Sequence, residues 1–260
     1  MQLSDEGRAY YEPCRQALSL IEEAERGLAQ KQTIPRGRIR ISIPTTDGHY
    51  RVLPVIARFA AMYPDVSFDV NVANRNIDFV AEGYDLAVRV GELADSSLVS
   101  RKLEDAALGV YASPRYLKAR GTPRQPKDLD SHVLLGFVRP STGRVLAWLF
   151  EDKDGTPFEI APSVSLRCSD DFLACVTLAR EGAGLVQTYR FIVERDVAKG
   201  RLVEVLKPFS GRSRPFTLLE PSGRIPTLAV RLFTDALLHA ARSSAAKSGK
   251  KAARKTRPRR

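Results

Sequence analysis

The residues in this chain best suited to hold a small molecule are polar side chains that interrupt apolar runs. "RISIPTTD" turns from alternating isoleucines into Thr45, Thr46 and Asp47, and "DLAVRVG" sets Arg89 inside an apolar run that ends at Gly91. "GLVQT" finishes in Gln187 and Thr188, while "CSDDFLACV" puts Ser169, Asp170 and Asp171 ahead of a helical pattern. Hydroxyls, a carboxamide, a guanidinium and the open N–H groups of a helix start are donors that suit an anion. Each also has a structural use: Thr45 and Thr46 as helix caps, Arg89 as a partner of Asp85 or Glu92, and Gln187 as a bridge to nearby backbone.

Bond-making chemistry has no comparable support. His49, His132 and His239 lie in no serine–histidine–acid or metal-ligand context. No glycine-rich loop follows the first strand, and "GAG" at Gly182–Gly184 reads as a helix-to-strand turn, so neither a dinucleotide nor a P-loop phosphate is expected. Cys14, Cys168 and Cys175 form an odd set without ligand spacing, which implies reduced thiols. The expectation is a binding protein with no catalytic residue, metal or cofactor.

The elements that must position these groups follow from hydrophobic period. Tyr10, Cys14, Ala17, Ile21, Ala24 and Leu28 form the narrow seam of a helix packed against another helix, expected to be either the same helix of a second copy or an N-terminal element that has been lost. Pro35 and Gly37 end it. A strand over Arg38–Pro44, a helix over His49–Met62, a strand over Val66–Val72, a short helix closed by Gly83 and a strand over Tyr84–Val90 make two right-handed βαβ units with a parallel sheet. "SLVSRKL" and "ALGVYAS" read as two strands leaving that sheet. Strands at "VLLGFV", "VLAWLF" and "PSVSLRC", a helix from an N-cap at Ser169 to Glu181, the strand "GLVQT", the helix "RFIVERDVAKG" and the strand "RLVEVL" make a second α/β unit. "PFTLLEP" and a helix over Pro226–Ala241 close the fold. The fold class is therefore α/β, with two lobes and a cleft at the carboxyl ends of the strands, where such sheets bind ligands.

Charge is distributed unevenly. Of a net +11, residues 242–260 contribute nine Lys or Arg and no acid, which leaves +2 for the rest. This segment lacks apolar periodicity and is expected to be disordered, either as a solubilising extension or as a weak nucleic-acid arm contacting phosphates through Lys250, Lys251, Arg254, Lys255 and Arg257. No apolar run approaches the roughly 20 residues of a membrane span, and the first residues lack a secretory signal, so a cytoplasmic protein with no membrane partner is expected.

"LSDEGRAYYE", "PRGRIRISIPTTDGHYRVLPVIARFAAMYPDVSFDV", "IDFVAEGYDLAVRVGELADSSLVSRKL", "VYASPRYLKARGTPRQPKDLDSH" and "AREGAGLVQTYRFIVERDVAKGRLVEVL" closely resemble, in order, segments of LysR-type transcriptional regulators. The resemblance covers Leu3 to Ala241. It implies a periplasmic-binding-protein-like effector domain of two Rossmann-like lobes (residues 36–241; lobe I 36–112 and 206–241, lobe II 113–205). Before this it implies a long dimerising linker helix with the end of a DNA-binding domain (residues 1–33). A small, carboxylated effector would sit in the cleft, with Thr45, Thr46, Asn74, Arg89, Gly91, Ser169, Asp170, Gln187 and Thr188 as contacts and Arg89 pairing the acid. Homodimers or tetramers would form, and DNA would be bound by a winged helix-turn-helix of about sixty residues ahead of the linker. Pro13 departs from the family's linker helix and implies a kink there or a helix starting at that residue. Two other expectations stand beside this one: a truncated regulator acting through mixed oligomers, and a cytoplasmic small-molecule-binding protein.

Overall fold

The structure is a computed structural model that describes residues 34–75, 82–91, 98–223 and 225–255, together with Gly7, Tyr10, Tyr11 and Cys14. Those four N-terminal residues are helical. Ala17, Ile21, Ala24 and Leu28 of the seam, Pro13, most of the short helix before Gly83, and Arg257 lie outside the described residues.

β1 (Gly37–Ile43) alternates Ile39, Ile41 and Ile43 into the core, all fully buried, and pairs in parallel with β2 (Val66–Val72) and β3 (Leu86–Val90). Between β1 and β2 the chain turns helical at Thr45–Asp47, passes through a π-turn at Gly48–Val52 and continues as α1 (Leu53–Met62). Helix thus begins four residues earlier than His49, because Pro44 fixes the extended entry just before it. Val52, Val55, Ile56 and Phe59 are buried as the periodicity requires, but Met62, at the last turn, is 67% exposed.

The two strands expected at "SLVSRKL" and "ALGVYAS" are one strand, β4 (Leu98–Ala112). No glycine or proline separates the two runs, so nothing turns the chain between them. Its first part pairs antiparallel with β11 (Ser213–Pro221), and β11 pairs antiparallel with β3. From Leu108 onward β4 exchanges β11 for β9 (Val186–Tyr189) and β10 (Val203–Val205). One sheet, in the order β10-β4-β11-β3-β1-β2 with β9 also on β4, therefore runs through both lobes.

Lobe II adds α2 (Pro114–Arg120), β5 (Leu135–Phe137) in parallel with β8 (Leu166–Cys168), the hairpin β6 (Trp148–Glu151) and β7 (Pro157–Ile160), α3 (Phe172–Arg180) and α4 (Arg190–Ala198). α3 does not start at Ser169. Asp170 has φ 62, outside the helical region, so the cap passes to Asp171, whose carboxylate accepts from the Leu173 N–H at 2.9 Å. Gly182, at φ 82, closes this helix as expected.

The closing helix α5 extends over Leu228–Lys255, so residues 242–255 are helical rather than disordered. Ala, Lys and Arg are strong helix formers, and the segment only has to propagate from a turn already held by Phe233 and Leu237 in the core. Missing apolar periodicity is no bar to helix. One buried cluster joins the lobes beneath the cleft: Phe59, Phe216 and Phe233 from lobe I meet Phe137, Phe172 and Tyr189 from lobe II. Among the described residues no helix is long and apolar enough to cross a membrane.

Candidate functional site

The carboxyl ends of β1, β2 and β3 face those of β5 and β9 across a cleft of about 470 Å³. That volume lies in the range of small-molecule sites. Lobe I contributes Pro44, Thr46, Asn74, Arg89, Val90 and Gly91, and lobe II contributes Phe137, Arg139, Pro140, Ser141, Leu146, Phe172 and Tyr189. Arg214 enters from the start of β11, where the chain returns from lobe II to lobe I.

Arg89 is almost fully buried and held by oxygen acceptors. Its Nη1 donates to the carbonyls of Ser42 at 3.1 Å and Val88 at 2.7 Å, and its Nη2 donates to the Ser42 hydroxyl at 2.8 Å. Burial lowers its pKa to about 10, which leaves it a cation at neutral pH. Arg214 donates to the Ala147 carbonyl at 2.9 Å, and burial, assisted by the Arg139 charge, lowers its pKa too. Burial pushes the Tyr189 hydroxyl up to about 12, so it stays neutral.

Asn74 joins the lobes. Its Oδ1 accepts from the Thr45 N–H at 3.2 Å, while its Nδ2 donates to the Thr45 hydroxyl at 3.0 Å and to the Asp170 carbonyl at 2.7 Å. The side chain thereby caps the first helical turn of lobe I, whose own N-cap Pro44 cannot, and grips the strained residue ahead of α3 in lobe II. Thr45 and Thr46 lie inside that first turn rather than capping it, and only Thr46 lines the cleft.

The structure brings Thr46, Asn74, Arg89 and Gly91 together in the lining, ties Thr45 and Asp170 to them through Asn74, and leaves Gln187, Thr188 and Ser169 out of the lining. Gln187 is occupied by structure: its Oε1 accepts from the Leu149 N–H and its Nε2 donates to the Leu149 carbonyl, both at 2.8 Å. Thr188 is fully buried in β9, away from the cleft lining. Ser169 is exposed and outside that lining, and Asp170 takes part through its carbonyl to Asn74. The sequence reading missed Arg139, Arg214, Phe137, Phe172 and Tyr189. An arginine at the head of a strand reads as solvent-facing, and only the pairing of β11 between β3 and β4 brings Arg214 to the cleft.

The thiols of Cys168 and Cys175 are free and neighbour each other, and burial raises the Cys175 pKa further than its neighbour does. Among the described residues no group of three His, Cys, Asp or Glu could hold a metal ion.

Comparison with known proteins agrees with this architecture. The family described as LysR substrate binding domain matches residues 32–242. An HTH-type transcriptional regulator of Xanthomonas campestris pv. campestris is 31% identical over 236 residues, covering 91% of this chain and 69% of the relative. The structure of CrgA, a LysR-type transcriptional regulator from Neisseria meningitidis, superposes with a TM-score of 0.70 at 29% identity, covering 92% of this chain and 80% of that one. The regulatory domain of AphB from Vibrio vulnificus superposes with a TM-score of 0.66 at 25% identity, covering 78% of this chain and 98% of that one. The chain belongs to the LysR family of transcriptional regulators and contains that family's substrate-binding domain.

Proposed function

We propose that the interlobe cleft binds a small carboxylated effector with a compact apolar body, and that its binding alters how a LysR-type dimer or tetramer holds DNA. The observation that supports this most directly is a lining that, among the described residues, holds three arginines, Arg89, Arg139 and Arg214, and no carboxylate. An anion entering there meets two cations already partly stripped of water, Arg89 and Arg214, beside the exposed Arg139; Arg89 is fixed by Ser42 and Val88, so little reorganisation accompanies binding to it. Phe137, Leu146, Phe172 and Tyr189 supply apolar and aromatic surface for the rest of the ligand.

A binding role fits this lining better than catalysis. Its hydroxyls, on Thr46, Ser141 and Tyr189, have no histidine or carboxylate among the described lining residues to activate them. Ligand contacts from both lobes would add to the Asn74 bridge and favour one relative lobe position over others, the means by which a bound molecule shifts an equilibrium. In this reading the protein works in the cytoplasm, the Tyr10–Leu28 seam joins two copies, and DNA contact falls to a helix-turn-helix ahead of the linker.

The test is thermal unfolding with small aromatic and aliphatic monocarboxylates and, in parallel, their neutral amides. A fitting acid at a hundred times its dissociation constant stabilises by about 2.7 kcal/mol, which raises the melting temperature by several degrees. Arg89→Ala should abolish the rise. An equal response to acid and amide would overturn the anionic reading, and an unchanged response in Arg89→Ala would remove that residue from the site.

A further inference from the structure

We propose that the groove between α1 and α5 is a second small-molecule site, which takes an organic amine whose ammonium is held by Asp47 and whose body is apolar or aromatic. This site is separate from the interlobe cleft and does not depend on what the cleft binds. The first observation is space. The groove has a volume of about 860 Å³, larger than the cleft and within the range of small-molecule sites. Val55, Phe59, Leu103, Leu232 and Leu237 line it and offer apolar surface to the body of such a molecule.

The second observation is charge. Among the described lining residues three carboxylates, Asp47, Glu104 and Asp235, face two guanidiniums, Arg51 and Arg58, so the formal charge is −1 with His239 counted as neutral. Arg58 and Asp235 are exposed, where water screens them, and Arg51 is ion-paired with Glu104. The surplus charge therefore falls on Asp47, whose residue is only 2% exposed. Arg51 lies 3.7 Å from the Asp47 carboxylate, too far for a hydrogen bond, and no other described side chain donates one to it. Burial raises the Asp47 pKa to about 6, the mark of a carboxylate whose partners do not make up for its lost water. An ammonium brings three donors and the missing positive charge. A second anion would be repelled there, and a purely apolar partner would seal Asp47 from water with no cation beside it. A metal ion needs several ligands around one point, and among the described residues no group of three His, Cys, Asp or Glu could supply them.

Isothermal titration calorimetry of the full chain with 2-phenylethylamine, and with 2-phenylethanol as its neutral counterpart, tests the site. At about pH 7.5 the amine is a cation and Asp47 an anion. The amine should bind, and the alcohol should bind at least about tenfold more weakly. Equal binding of the two, or no binding of the amine, would overturn the proposal. Asp47→Asn keeps the side-chain volume and removes the charge. Loss of one charged hydrogen bond predicts amine binding weakened by about ten- to a hundredfold, with the alcohol unaffected. An unchanged amine affinity would overturn the role of Asp47. Ala236 lines the groove and not the cleft, so Ala236→Phe fills the one and leaves the other open. This variant should lose the amine, and retained binding would place the amine elsewhere and overturn the site. If the parent ignores the amine and Ala236→Phe turns a dimer into a monomer in size-exclusion chromatography, the groove belongs to a second copy of the chain and the proposal falls.

Discussion

Thr46 opens onto the interlobe cleft, whereas Asp47, the next residue, faces the groove between α1 and α5, and charge is balanced differently on the two sides of this helical turn. In the groove, Arg51 is ion-paired with Glu104, lies 3.7 Å from Asp47 and stacks its guanidinium 3.6 Å above the ring of Phe191. One cation there meets two carboxylates and an aromatic face. In the cleft, three arginines line the surface with no carboxylate among the described lining residues, and Arg89 and Arg214 donate to neutral oxygens. Phe191, beneath Arg51, stacks on Tyr189, which lines the cleft, so this pair of rings links the two regions. Charges that already have oppositely charged partners in contact hold the fold together, while cations whose hydrogen bonds go to neutral oxygens retain more of their attraction for an incoming anion.

The groove should fail hardest when its balance is broken. Glu104→Ala leaves Arg51 largely buried with only the more distant Asp47, and a loss of about 4 kcal/mol is expected in urea unfolding. A loss below about 1 kcal/mol would mean that water screens this pair as it does a surface pair, and the contrast with the cleft would disappear. Next in size is a pH effect. Burial raises the Asp47 pKa from 3.8 to about 6 despite the opposing pull of Arg51. The folded state therefore takes up a proton before the unfolded state does. Stability from this group rises as pH falls from about 6 to about 4, by about 3 kcal/mol, and the cost is fully present above pH 6. Asp47→Asn should remove that rise, read as the difference between the two proteins' stability profiles. Identical profiles would show that Asp47 is not the group that titrates.

Legibility in the sequence followed the range of the interactions involved. Ile39, Ile41 and Ile43 announce β1 because a period of two is a local property, and the stripe of Val55, Ile56 and Phe59 announces α1 in the same way. The strand ends of lobe I were legible because the polar break after each apolar run is local too, and Thr46, Arg89 and Gly91 reach the cleft. Gln187 looked identical in kind, yet its carboxamide is used up by Leu149, 38 residues away, which no local pattern reveals. Arg214 reaches the cleft only because β11 inserts between β3 and β4, and Arg139 because it begins the turn that follows β5 at the cleft. The extension past Ala241 failed for another reason: helix propensity and packing are separate causes, and the sequence spoke only to packing.

The smallest expected effect separates the two regions most cleanly. Arg214→Met removes a cation that burial and the neighbouring Arg139 both disfavour, and keeps comparable side-chain volume against Phe137 and Tyr189. Its cost is the hydrogen bond to the Ala147 carbonyl, offset by relief of the desolvated charge. Stability of the ligand-free protein should therefore change by less than about 1 kcal/mol in either direction. A carboxylate that raises the parent's melting temperature should do so much less in this variant, because the site loses one of three attractions and gains none. If Arg214→Met instead costs more than about 2 kcal/mol without ligand, Arg214 belongs with Arg51 among the charges that hold the fold, and the cleft retains two cations for an anion rather than three.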